Sequence, residues 1–485
     1  MEFPGFCAPA YKIPGVFPDV CRNLYLENIE KGPSAGKPWL RMIPGLPQFA
    51  TVGKGPIRSI WSNVFTCYVV SGGEVWQLNA DGTSTKIGNI ANSATPAITV
   101  SNGFQLAFAS NGAAYIAPGG GAGVIPIVDT TGAPVNALTM AFIDQYFVAG
   151  ILNSKEIQIS NLAPAGATWD PGDAAIKEAY SDNISRIFVD QPGGEYIFLF
   201  GDETMEVWVD TGALFPFQRV QGAVFPFGST SPWGVAGCNG FRAWLWRGVV
   251  YGMSGPTVQP QRISDYGVEA AIATYPLAAQ QTAEAFSWIY EGHTFWAISF
   301  PGVVGASTWV YDQTMNAWHE RAYFNNGAYS RYRPRVTTFA YGKQLVGDYA
   351  TNQIYSMDPT VFTDANGNLI RRQRTTSYLV DGMKNDRFNQ LRVEMQTGIG
   401  LNVPPAVLGY NPNVTLRYSN DRGQTWSNDV TRTAGKVGDT LRRVMYSPLG
   451  ASRVGFVADL SMSDPCPTAF LNAYLDISPS TWPRP

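Results

Sequence analysis

From about Ile57 to Pro359 this chain keeps returning to one pattern: an apolar or aromatic run, a Gly, Asn or Asp turn, then a second such run. Examples are TCYVVSGGEVWQLNADGTSTKIG at 66–88, FQLAFASNGAAYIAPGG at 104–120 and YIFLFGDETMEVWVDTG at 196–212. AWLWRGVVYGMSG at 243–255, SWIYEGHTFWAISFPG at 287–302 and KQLVGDYATNQIYSMD at 343–358 continue it. Turns such as Ser71-Gly72-Gly73 and Ser110-Asn111-Gly112 between such runs are hairpin signals. The second run often carries an aromatic shortly before a polar turn: Trp76, Tyr115, Trp208, Tyr251, Tyr311 and Tyr355. Their spacing is mostly about 40 to 60 residues, near or somewhat above the length of a four-stranded propeller blade. The wider gaps leave room for a blade of weaker signature, such as KEIQIS at 155–160. A single such sheet cannot bury both faces, and packing neighbours around an axis solves that problem.

The expected fold class is therefore all-β: a β-propeller of six or seven blades followed by a C-terminal β-sandwich. Composition agrees. Charged residues are 15% and aromatics 13% of 485 residues, with 50 glycines and 34 prolines. An average soluble protein carries roughly 25% charged residues, so this chain reads as many short strands with frequent turns. Helical periodicity is weak, with AAIKEAY at 174–180 and a stretch near 268–286 as modest candidates.

Three regions follow. Residues 1–56 read as an irregular N-terminal segment, because eight prolines between Pro4 and Pro47 break any long element. Within it, LRMIPGLPQF at 40–49 is a candidate strand to close the last blade, near 340–357. Residues 57–360 form the propeller. Residues 361–485 form the sandwich, whose strands are NQLRVEMQTG, VTLRYSND, LRRVMYSPL, SRVGFVADLS and FLNAYLDIS.

Chemistry is sparse. The formal net charge is −3 with scattered Lys and Arg. Tight DNA binding needs concentrated positive charge, so it is disfavoured, whereas a wall past which DNA slides is compatible. Cys7, Cys21, Cys67, Cys238 and Cys466 are odd in number and widely spaced, which argues for buried free thiols rather than disulfides or zinc. The N-terminus shows no signal-peptide pattern, and no apolar run reaches the length of a membrane helix. His293 and His319 lack a ligand or base partner at short spacing and read as structural. The Gly run at 119–123 lacks the Lys-Ser or Lys-Thr of a phosphate loop. DANGN at 364–368 has Leu369 at the sixth position where a calcium loop has Gly, and no Glu closes it, so it reads as an ordinary hairpin turn. No catalytic, cofactor-binding or metal-binding residue is expected, and no cofactor.

Two motifs stand out. Ser419, Asp421, Gly423, Thr425 and Trp426 fit the S-x-D-x-G-x-T-W Asp box, a β-hairpin signature common in sialidases. Asp421 can accept backbone N–H bonds across the hairpin, Gly423 takes positive φ, and Trp426 packs under the turn. A sialidase also needs an arginine triad, a Tyr–Glu pair and an acid/base, which no spacing here singles out. The box is thus a structural hairpin first. The other reading is a sialidase-like glycoside hydrolase or a glycan-binding tail protein. The second motif is basic: Arg331, Arg333 and Arg335, and Arg371, Arg372 and Arg374, candidates for a lumen lining or an interface.

Asn23-Leu24-Tyr25, then Leu40-Arg41 leading to Pro44-Gly45-Leu46, resemble the start of packaged-DNA stabilisation proteins of short-tailed bacteriophages, also called tail hub or nozzle proteins. RIFVDQPGGEYIFLFGDETMEVWVDTG (186–212) and QRVQGAVFPFGSTSPWGVA (218–236) resemble that family's central region. RYSNDRGQTWS, Leu449-Gly450, Arg453 and the run from Asp464-Pro465 to Asp476 resemble its C-terminal domain. The resemblance implies a non-enzymatic virion component, synthesised and assembled in the host cytoplasm. It implies a six-copy ring below the portal and its adaptor ring, which extends the DNA channel and helps retain the genome until ejection. Tail spikes, fibres or a plug would attach to it, packaged double-stranded DNA would touch it weakly and transiently, and no membrane insertion is implied.

Overall fold

The computed structural model describes residues 1–13, 16–63, 65–119, 123–162, 168–190, 193–380 and 384–479. Seven four-stranded antiparallel blades follow one another in it. The first uses Ile57–Ser62, Cys67–Ser71, Glu74–Leu78 and Ser84–Asn89; the second Ile98–Ser101, Leu106–Ser110, Ala113–Ala117 and Ile125–Pro126. The third uses Ala137–Ile143, Tyr146–Ile151, Glu156–Ser160 and Trp169–Ile176; the fourth Ile184–Phe188, Tyr196–Gly201, Met205–Asp210 and Phe217–Phe225. The fifth uses Val235–Cys238, Phe241–Trp246, Val249–Ser254 and Gln261–Arg262; the sixth Glu284–Tyr290, His293–Ser299, Thr308–Asp312 and Ala317–Asn325.

Pro334–Ala340, Lys343–Asp348 and Gln353–Ser356 form the seventh blade, and its fourth strand is Gln48–Thr51, with Ala50 opposite Ile354. The first strands of consecutive blades touch all the way round, with that of the seventh against that of the first. Side chains wedge between blades: Phe198, Phe200, Met205 and Val207 of the fourth pack with Val235, Trp244 and Met253 of the fifth. Each blade thus buries its faces on its neighbours.

The C-terminal module is a sandwich of two sheets. One runs from Ala317–Asn325 of the sixth blade through Val20–Arg22, Arg372–Thr375, Val457–Met462 and Asn413–Ser419 to Val430–Thr433. The other runs Val444–Tyr446, Asp386–Met395, Ala469–Pro479, Pro38–Met42, Leu24–Asn28. Between them lies a core that includes Leu24, Leu40, Leu391, Leu416, Leu460 and Phe470.

Three expectations need correction. The N-terminal segment is not an irregular extension. It supplies three strands to the sandwich sheets and one to the propeller, and Phe3 and Phe6 are buried in the sandwich core. Its prolines shorten these strands but cannot abolish them, because their partners are edges offered by other regions. The closing segment is divided: Pro38–Met42 pairs within the sandwich and only Gln48–Thr51 closes the propeller. AAIKEAY begins inside the strand Trp169–Ile176 and is not helical; pairing with Glu156–Ser160 overrides its propensity. The stretch near 268–286 does hold short helices, Tyr266–Ala273 and Leu277–Gln281, the first capped by Asp265. The Gly run lies largely outside the described residues.

Candidate functional site: the propeller–sandwich junction

Asn23, Leu24 and Tyr25 show how the two modules are locked. Asn23 is fully buried at φ 55°. Its side-chain amide donates to Ala322 O and Arg371 O, both at 2.9 Å, and its Oδ1 accepts from Ala322 N at 2.9 Å. One side chain therefore bridges the sixth blade and the sandwich. Asn is among the residues that tolerate the left-handed region. The next two side chains diverge: Leu24 enters the sandwich core and Tyr25 the aromatic core between the sixth and seventh blades. The Tyr25 ring meets His293 and Phe295 edge-on.

His293 sits between two carboxylates. Its Nδ1 lies 2.7 Å from Asp312 Oδ2 and its Nε2 lies 3.0 Å from Glu27 Oε2. Both nitrogens can donate only in the imidazolium, so the pair selects the charged ring. Burial lowers the pKa of His293, but the hydrogen bonds and charges of Asp312 and Glu27 outweigh it, and the net direction is upward. His319 is the opposite case. It is buried, its Nε2 faces the Nε donor of Arg321 at 3.4 Å, and burial followed by the Arg321 charge drives its pKa well below the ordinary value. Arg321 itself lies over the Trp288 and Phe295 rings, at 4.8 and 5.0 Å. Beside this cluster a cleft of about 200 Å³ opens between the modules, lined by residues such as Tyr25, Trp39, Arg41, Tyr290, Phe362 and Thr468. Arg41 pairs with Glu291 across it at 2.6 Å.

Within the chain the two basic clusters are bonded largely inward: Arg335, Arg372 and Arg374 are buried, and Arg331, Arg333 and Arg371 are half-buried. Arg331 and Arg335 both pair with Glu284, which is buried. Arg333 stacks on Tyr323 and approaches Asp348 at 3.6 Å. Arg372 is buried and donates to the carbonyls of Met462, Asp464 and Cys466. Arg374, also buried, pairs with Asp19 at 2.5 Å and donates to Phe6 O and Gly5 O. Half-buried Arg371 lies over Phe324 and donates to Ser461. These arginines bolt the chain to itself, because alternate positions on a strand between two layers must point into one of them. Sequence spacing shows a cluster but not the side it faces.

The Asp-box residues do converge. Asp421 accepts from Thr425 N at 2.8 Å, Thr425 Oγ1 at 2.5 Å and Ser419 Oγ at 2.6 Å, while Gly423 N donates to Ser419 Oγ at 2.7 Å. Burial is the largest single influence on Asp421 and pushes its pKa up, but the bonds from Ser419 and Thr425 together prevail and lower it to about 2. Gly423 adopts φ +88° with Pro18 against it. Arg417 lies 5.4 Å from the Trp426 ring centroid and pairs with Asp459 at 2.7 Å. All acceptors of Asp421 are satisfied within the hairpin or beside it. Four cysteines are buried and Cys238 is half-buried, all as free thiols. Burial raises Cys7, Cys21, Cys67 and Cys466 to about 12, which keeps them unreactive. Among the described residues no cluster of His, Cys, Asp and Glu could hold a metal ion, and no helix is long and apolar enough to cross a membrane.

Fold and junction together define a class: two all-β modules, a propeller and a sandwich, fused through one continuous sheet. The chain belongs to the bacteriophage P22 Gp10 family, whose β-propeller model matches residues 19–362 and whose β-sandwich model matches residues 371–478. No curated protein matches the chain. Among solved structures, the Neurospora crassa Pan2 WD40 domain is similar at 9% identity and TM-score 0.40, covering 64% of this chain and 95% of that one. The extracellular domain of BT4673 from B. thetaiotaomicron is similar at 9% identity and TM-score 0.42, covering 88% of this chain and 61% of that one.

Proposed function

We propose that this chain is the tail nozzle or hub subunit of a short-tailed phage. In this reading it forms a six-copy ring beneath the portal-adaptor ring and extends its channel. The ring retains packaged DNA and lets it pass at ejection, and it carries spikes, fibres or a plug. The observation that supports it most is the match of both modules, in order, to one family of phage proteins. The physical build agrees. The junction is held by buried polar bonds rather than a reactive cluster, and the clustered arginines are bonded inward, so few of them would grip a passing phosphate backbone. No enzymatic step is assigned.

Immunogold electron microscopy of particles from the source culture tests it. Gold at the tail is the expected result. Unlabelled particles, with label on free protein or on cell surfaces, would remove the nozzle reading.

A further inference from the structure

Charge is divided unevenly along the chain. Residues 137–225, the third and fourth blades, contain twelve Asp and Glu against four Lys and Arg. Residues 371–485 contain fourteen Lys and Arg against nine Asp and Glu. Tyr196 pairs with Val209 and Asp210 with Phe217, and the Tyr146 ring meets Phe217 at 5.5 Å, so Glu195, Asp210 and the turn at Asp144 share one corner of these two blades; partial burial, followed by Asp210 and Glu195, raises the Asp144 pKa. Asp144 and Glu195 are exposed and have no cationic partner among the described residues. Beside them the loop after Asp210, pinned by Thr211 N donating to Pro216 O at 2.8 Å, holds Leu214 fully in solvent at 106% exposure.

The sandwich carries the complement. Arg432, Lys436, Arg442 and Arg443 are exposed at the edge where Val430–Thr433 and Val444–Tyr446 end the two sheets. They have no carboxylate partner among the described residues, and Leu441 stands between them at 91% exposure. The basic edge belongs to the sandwich, which continues the sixth blade, whereas the acidic patch belongs to the third and fourth blades, three and two places away around a ring of seven.

We propose that the acidic patch around Asp144, Glu195 and Leu214 binds the basic edge around Lys436, Leu441 and Arg442 of a second copy of this chain. The contact is heterologous, using two different surfaces, and such contacts generate closed rings when the rotation closes. Opposite charge steers the encounter and fixes the register, while the two leucines supply the desolvated centre. This deepens the ring reading above and rests on it.

The test uses two full-length variants with surface changes only: Asp144→Lys with Glu195→Lys, and Arg442→Glu with Arg443→Glu. Thermal melting checks that both fold. Sedimentation velocity at low salt then compares wild type, each variant and their equimolar mixture. The proposal expects wild-type association that weakens with salt, and a loss of about ten-fold or more in each variant. It also expects recovery in the mixture, where each altered surface meets its complement. Wild-type rings with unaffected variants overturn this interface and leave the ring reading standing. A monomeric wild type, with no association in the mixture, overturns this interface and leaves the ring reading to the gold labelling of particles. The remaining arm is binding to a short DNA duplex. Unchanged self-association, with DNA binding lost in the Arg442/Arg443 variant, assigns the basic edge to nucleic acid instead.

Discussion

Asn23 and the two histidines carry consequences that single substitutions can read. Asn23→Ala removes three buried hydrogen bonds and leaves an alanine in the left-handed region. The expected loss is roughly 3 kcal/mol, from unsatisfied buried partners plus backbone strain, measured as a lower urea midpoint. Asn23→Leu is expected to be worse, because Ala322 and Arg371 stay orphaned beside a larger apolar group. The histidines predict a pH profile. His293 is raised, so its contribution is complete below the ordinary histidine value of about 6.5 and is lost as pH rises through its folded value. His319 is lowered and buried, so its contribution is complete above about 6.5 and is lost as pH falls, when the unfolded chain takes up a proton that the folded one refuses. Thermal midpoints between pH values of about 5.5 and 9 should separate the two. His293→Gln is expected to flatten the alkaline side and His319→Gln the acid side. Profiles unchanged by either substitution would show that these rings do not govern it.

The Asp-box hairpin is an element whose sequence names its own bonds. Ser419, Asp421, Gly423 and Thr425 were legible as a turn because each bond is local, within four residues. Asp421→Ala is expected to lower stability at neutral pH by about 1–2 kcal/mol, from loss of its accepted bonds. Because the Asp421 pKa is depressed, that contribution exists above the ordinary carboxylate range and disappears as pH falls towards about 2. Urea curves of wild type and variant should therefore converge in acid. A fluorogenic sialoside is expected to give blank-level turnover with both proteins, and turnover abolished by Asp421→Ala would give the hairpin a chemical role. Blades were legible for the same local reason: hairpins between adjacent strands leave periodic turns. What stayed hidden is non-local. Gln48–Thr51 pairs with a strand some 300 residues later, and Val20–Arg22 lies between strands from both modules. Nothing within those short runs states their partners, and Arg372 and Arg374 look like exposed charge until the layer that covers them is known.

At the scale of the whole molecule, one net charge of −3 conceals two oppositely charged regions, which the sequence holds openly but only a division by module brings out. The same modules are mechanically single. Ala317–Asn325 of the sixth blade pairs with Val20–Arg22, which pairs in turn with Arg372–Thr375 of the sandwich. Arg22 ties the same strands by its pair with Glu320 at 2.6 Å. Two modules joined only by a linker would melt separately, whereas a shared sheet and shared buried bonds couple their unfolding. Calorimetry is therefore expected to show one transition. Arg374→Ala leaves Asp19 buried without its cation, and breaking such a pair costs about 3–5 kcal/mol. If the modules are coupled, that substitution in the sandwich sheet must lower the melting of the propeller as well, followed by the fluorescence of buried Trp208 and Trp244 in the fourth and fifth blades. Two resolved transitions in the variant, with the tryptophan signal unmoved, would show that the strand joins the modules without making them one folding unit.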